Sequence, residues 1–183
     1  MIKSLYPKFQ SWSERGSVYL YSDPHFDDQD MIEHFGYMDS FDQIALINSK
    51  VTRSDYLIIL GDFGNPEWLK KIKTENLIGL MGNHDQSYGK YEPYFKELYT
   101  GPLFIGEKIL LSHEPIGLPF AVNIHGHDHN TMEKYVDGCR YFNVAANVIG
   151  YFPVNLGKLI KSGLIANIPS IHRITIDKAS KKE

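Results

Sequence analysis

In "LIGLMGNHDQ", residues 77–86, an apolar run drops without a spacer into Gly82-Asn83-His84-Asp85. The run reads as a buried strand. A polar triplet flush against such a strand needs partners, because burying unpaired polar groups costs free energy. The same figure recurs as "SVYLYSDPH" (17–25), "YLIILGD" (56–62), "KILLSH" (108–113) and "VNIHGHDH" (122–129). Each is a short apolar, β-branched or aromatic run that ends on glycine, serine or histidine and then on side chains able to bind a metal.

The segments between these runs look helical. Asn65 suits an N-cap, Pro66 the first helical position and Glu67 the positive end of the dipole, which predicts strand, helix, strand across residues 56–80. Ser40 and Gln43 have capping-box spacing, and Phe41, Ile44, Ile47 and Val51 follow on one face. A third helix is predicted over about Lys90 to Leu98. Asp137-Gly138, flanked by the apolar runs of "KYVDGCRYFNVAAN" (134–147), is a two-residue hairpin signal for antiparallel strands. "IHRITID" (171–177) alternates like a last strand.

Strands joined by helical crossovers tend to run parallel, and such sheets bind ligands beyond the carboxyl ends of their strands. If the strands are neighbours, Asp23, His25, Asp62, Asn83, His113, His127 and His129 converge on one edge of one sheet. His127 and His129, one residue apart on an extended backbone, would point the same way and could chelate neighbouring metals. Taken singly, most of these motifs read as well as turns, caps or half-buried histidines. Together they do not, since five of the eight histidines fall at strand ends beside Asp or Asn. His34, His125 and His172 remain structural or solvent residues, Asp27-Asp28 a loop, and Lys70, Lys71 and Lys73 a solvated helix face. Oxygen and imidazole donors without thiolate suit Mn²⁺, Fe, Zn²⁺, Co²⁺ or Ni²⁺ better than an all-oxygen Mg²⁺ or Ca²⁺ cage.

Composition sets the bounds. The 183 residues, 43% hydrophobic and 22% charged, suit one globular domain over 1–183, with a motif-bearing core at 17–152 and a frayed tail at 178–183. A formal net charge of −3 gives no electrostatic footprint for nucleic acid or an anionic membrane. A single cysteine, Cys139, forms no internal disulfide. No apolar run approaches the ~20 residues of a membrane span, and the first residues lack a secretory pattern. The expected location is cytoplasmic.

In order, Asp-x-His, Gly-Asp, Gly-Asn-His-Asp, a lone His and Gly-His-x-His over residues 23–129 resemble the calcineurin-like metallophosphoesterase superfamily. The resemblance implies an α/β two-sheet β-sandwich flanked by helices and a binuclear metal centre, Mn²⁺ first among the candidates. It implies that Asp23, His25 and His129 bind one ion, that Asn83, His113 and His127 bind the other, and that Asp62 bridges both. His84 would face the scissile phosphate as general acid, with Asp85 holding its ring. The implied reaction is hydrolysis of a small phosphate ester by metal-bound hydroxide, phosphodiesters favoured and a nucleotide a natural candidate. The stretch "NVAANVIGYFPVNLGKLIK" (143–161) looks like small stand-alone bacterial and phage members. One departure is "FGNP" after Gly61-Asp62, where many relatives carry a further acidic or amide pair. Nothing inserts the capping domain of the superfamily's DNA-repair nucleases. Residues 26–40 and "YGKYEPYF" (88–95) are candidate pocket walls, and Arg140 a candidate phosphate contact. The competing readings are a non-catalytic scaffold, as in the superfamily's retromer subunit, and a nuclease, which would need a basic, salt-sensitive face.

Overall fold

A computed structural model describes residues 3–4 and 17–169 of the chain. Apolar runs buried on both faces give parallel strands, and four of them make most of one sheet. These are β2 (Val18–Tyr21), β3 (Tyr56–Ile59), β4 (Asn76–Leu80) and β5 (Glu97–Tyr99), with β11 (Val154–Asn155) antiparallel on β2, in the order β11-β2-β3-β4-β5. A second, mixed sheet has the order β1-β6-β7-β8-β10-β9. It comprises β1 (Lys3–Ser4), β6 (Leu103–Gly106), β7 (Ile109–Leu111), β8 (Val122–His125), β9 (Glu133–Val136) and β10 (Cys139–Asn143).

Side chains alternate across each strand, so each sheet has two faces to cover. Val18, Leu20, Ile58, Leu60, Ile78 and Leu80 of the first sheet meet Ile109, Leu111, Val122 and Ile124 of the second in the inter-sheet core. The alternate residues Tyr21, Leu57, Ile59 and Leu77 pack outward against Ile44, Ile47, Leu69 and Phe95. That outer layer comes from helices α1 (Gln29–Phe35) and α2 (Ser40–Lys50), a 3₁₀ turn at Pro66–Lys71, and a short α3 (Tyr88–Tyr91) that runs into a 3₁₀ turn at Glu92–Tyr94. Helix α4 (Leu156–Lys161) buries Leu156 in the inter-sheet core. This is the α/β two-sheet architecture flanked by helices that the motif order implied. Among the described residues no helix is long and apolar enough to cross a membrane.

Several local expectations are corrected. Asp39, not Ser40, caps α2, its carboxylate accepting from the Asp42 N–H at 2.9 Å. Gln43 makes no capping box but turns inward, donating to the carbonyls of Pro24 and Met38. The buried stripe of α2 is therefore Ser40, Gln43, Ile44 and Ile47. Phe41 sits about 100° off that stripe and is 71% exposed. The helix predicted over 90–98 stops early: Pro93 falls in the 3₁₀ turn, and Leu98 pairs with Gly79 as a strand. Pro66–Lys71 is 3₁₀ rather than α, although Asn65 caps it as expected. The hairpin is present: Val136 pairs with Cys139, and Asp137 and Gly138 take φ of 51° and 75°, as a type I′ turn demands. The strand expected at 171–177, the tail at 178–183 and His172 lie outside the described residues.

Candidate metal centre

Strand ends from both sheets supply the site, not one edge of one sheet as expected. Asp23, His25, Asp62 and Asn83 follow β2, β3 and β4 of the five-stranded sheet, while His113, His127 and His129 follow β7 and β8 of the other. The sheets are stitched together here: Ser22 bridges Ala145, and the Asp23 carboxylate accepts from the His127 N–H at 3.0 and 3.1 Å. Past each strand the chain turns sharply. Asp23, His25, Asp62 and His127 take φ of 53°, 46°, 53° and 64°, a left-handed conformation that is rare outside glycine and concentrated at functional sites. His127 is thus not extended, and the two histidines of "HDH" serve different neighbours.

Asp23, His25 and His129 form one group whose donor atoms lie within 4.8 Å of one another, and Asp23, Asp62 and His113 form a second. Asp62 Oδ2 stands between them, 3.7 Å from His25 Nε2 and 3.4 Å from His113 Nε2. Its other oxygen accepts from the His84 N–H at 2.9 Å. Asn83 Oδ1 lies 2.7 Å from His113 Nε2 and 3.0 Å from His127 Nδ1, which sets Asn83 and His127 beside the second group. Close approach of these loops requires glycine: a Cβ on Gly126 would collide with Ser22 Oγ and Asp23 Oδ2, and one on Gly82 with the Asp62 carboxylate.

The tautomers are fixed from outside. His25 Nδ1 is 3.2 Å from Asp28 Oδ2 and His113 Nδ1 is 2.7 Å from the Leu60 carbonyl, so each Nδ1 donates and each Nε2 faces the cluster, free to give a bound ion its lone pair. Burial pushes the His25 ring below its ordinary pKa despite the carboxylates of Asp23 and Asp62, which keeps it neutral. Its Nε2 is buried with no hydrogen-bond partner, facing carboxylate oxygen. A buried lone pair opposite another acceptor is costly unless a cation answers both. Burial also lowers His113, but the Asp62 and Asp23 carboxylates and the Leu60 carbonyl outweigh it and carry the ring up to about 9. Burial raises Asp62, and the His113 ring, the His84 N–H and the His25 ring bring it below the usual carboxylate value. These shifts mark a cluster short of positive charge, and its donor set suits a divalent transition metal.

His84 is exposed, its ring edge-on to His25 at 5.9 Å, and it contributes no atom to either group. Asp85 does not take the role expected of it. Its carboxylate accepts from the backbone N–H groups of Asp62, Phe63 and Gly82 at 3.0, 2.8 and 2.7 Å, clamping the β3 and β4 loops together instead of holding the His84 ring. Burial raises its pKa above the ordinary value despite those bonds. Arg140 pairs with Glu133 and the Gly163 carbonyl rather than facing the cluster. Of the proposed walls, Tyr91 and Phe95 are core residues against Phe63. His125 is buried, with Nδ1 on the Gly126 carbonyl.

Three residues support the histidines in a way not anticipated from the sequence, where Asp28 read as loop and Tyr37 only as part of a candidate wall. Asp28 carries a signal in hindsight, lying three residues after His25 and capping α1. Tyr37 and Asn147 carry none: the Tyr37 hydroxyl lies 3.0 Å from His129 Nδ1, 92 residues away, and Asn147 Oδ1 lies 3.1 Å from the same nitrogen.

No protein-family model and no curated protein matches the sequence. Solved structures do. A protein of unknown function from Aquifex aeolicus superposes with a TM-score of 0.64 at 23% identity, covering 80% of this chain and 99% of that one. The nuclease MPE of Pseudomonas putida gives 0.50 at 19% identity, covering 69% of this chain and 74% of that one. An archaeal phosphodiesterase gives 0.47 at 20% identity over 69% and 82%. The chain has the calcineurin-like metallophosphoesterase fold.

Proposed function

We propose that this protein is a metal-dependent phosphoesterase, with small phosphodiesters as preferred substrates. The observation that carries the reading is the buried, unpartnered Nε2 of His25, facing Asp62 Oδ2 inside a cluster of inward-turned acceptors. Asp23, His25 and His129 would hold one divalent ion, Asn83, His113 and His127 a second, with Asp62 reaching both. Mn²⁺ is the first candidate, with Fe, Zn²⁺, Ni²⁺ and Co²⁺ as alternatives. Such a pair supplies Lewis acidity to phosphate oxygens and acidifies a water at neutral pH.

The residues of the chain divide the remaining work. The buried carboxylates of Asp23 and Asp62 confine charge to the strand ends, where low dielectric strengthens it. His84, exposed at the rim with its N–H on Asp62, would donate a proton to the departing oxygen. Asp85 sets the two loops that carry Asp62 and His84. The nuclease of similar fold supports phosphodiester over monoester chemistry, although a net charge of −3 favours a small substrate over a polymer.

The deciding experiment is hydrolysis of an activated phosphodiester, the matching monoester and a single-stranded oligonucleotide by Mn²⁺-loaded protein. His113→Ala and a chelated sample are the controls. Metal-dependent turnover that His113→Ala abolishes, fastest on the small diester, is the expected result. No turnover with any transition metal in folded protein would overturn the enzyme reading in favour of a binding scaffold.

A further inference from the structure

Three of the proposed ligand histidines have Nδ1 partners outside the ligand set, and they are not held alike. Behind His25 stands a carboxylate and behind His113 a backbone carbonyl. Behind His129, the one partly exposed histidine of its group at 33%, stand two neutral side chains from distant segments. Tyr37 comes from the link between α1 and α2 and is 6% exposed; Asn147 follows β10. Their geometry closes a ring. The Tyr37 hydroxyl donates to Asn147 Oδ1 at 3.2 Å, the His129 Nδ1–H is shared between the Tyr37 oxygen at 3.0 Å and Asn147 Oδ1 at 3.1 Å, and Asn147 Nδ2 donates to the His129 carbonyl at 2.9 Å.

We propose that Tyr37 and Asn147 together are a positioning clamp for His129, and that they set the affinity of the Asp23–His25–His129 group for its ion while leaving untouched the ion that Asn83, His113 and His127 would hold. The inference rests on the metal-site reading above. Three features argue for it. The clamp fixes the backbone and the ring of His129 at once, so Nε2 is presented toward Asp23 Oδ1, 3.9 Å away, rather than sampling solvent. The Tyr37 ring packs edge-on against both His25 at 5.7 Å and His129 at 5.8 Å, so one side chain spaces the two imidazoles of a single group. Tyr37 touches neither Asn83, His113 nor His127 by any hydrogen bond or ring contact among the described residues. Partners that orient a ligand histidine are typically worth about 10- to 100-fold in metal affinity.

A control is at hand in Tyr151. Its hydroxyl accepts from the Met38 N–H at 3.1 Å and its ring packs on Tyr37 at 5.8 Å, so it steadies the same segment without reaching a histidine. The test is titration of chelator-stripped protein with Mn²⁺ in competition with a chromogenic chelator, resolving two binding constants. Wild type should bind two ions. Tyr37→Phe should bind one of them about 10- to 100-fold more weakly and the other as before, and Asn147→Ala should do the same. The double variant should lose no more than the worse single one, because both act through one ring. Tyr151→Phe should match wild type. Equal constants in Tyr37→Phe and wild type, or equal weakening of both ions, would overturn the clamp. If one clamp variant does not fold, the other decides. Wild type that binds no ion would instead overturn the proposed function, and the clamp with it.

Discussion

His113 Nε2 lies 3.4 Å from Asp62 Oδ2 while its Nδ1 is tied to the Leu60 carbonyl, so the ring offers the cluster a single atom. Its pKa, raised from 6.5 to about 9 against burial, makes the protonated ring a stabilising element of the metal-stripped protein. The stabilisation is fully present below 6.5, the unfolded value, and is lost as the pH rises through the folded value near 9. Thermal melts of chelator-stripped protein should therefore fall across that window, by on the order of 3 kcal/mol. Metal-loaded protein and His113→Gln should lack the fall.

Asp62→Ala should lose bound metal most severely of the single changes, because its Oδ2 faces histidines of both groups. Elemental analysis of protein purified in parallel checks this. Stoichiometry equal to wild type would remove Asp62 from the site.

His84→Ala should keep its metal, since His84 belongs to neither donor group. It should lose about 10²- to 10⁴-fold in rate on esters with poor leaving groups and much less on activated ones. A uniform loss across leaving groups would contradict the acid role.

Asp85→Ala should act on folding before chemistry. It leaves the N–H groups of Asp62, Phe63 and Gly82 without their acceptor, at about 1–3 kcal/mol for each buried one. A melting temperature within a degree or two of wild type would show that the clamp is dispensable.

The seven proposed ligands could be singled out because each stands two to four residues past a strand whose apolar run is unmistakable. The parallel sheet followed from the same runs. What the sequence concealed was relational. Tyr37 falls within residues 26–40, read only as a candidate pocket wall, and tertiary packing alone brings its phenol to His129. Asp85 follows His84 in the chain, yet the β4 turn sends its carboxylate back to three N–H groups rather than to its neighbour. The helix over 90–98 failed because pairing with β4 outweighed local preference at Leu98.

The division of ligands between two sheets has a consequence for how this protein comes to exist. Asp23 and His127, joined by hydrogen bonds, stand 104 residues apart in the chain. On the proposed ligand set, a nascent polypeptide that has emerged only through Asn83 would carry about half of the ligands, and no product truncated there could complete them. If the proposed centre is right, chemistry would be withheld until both leaves of the sandwich have met, and the first ion captured would double as a certificate of assembly.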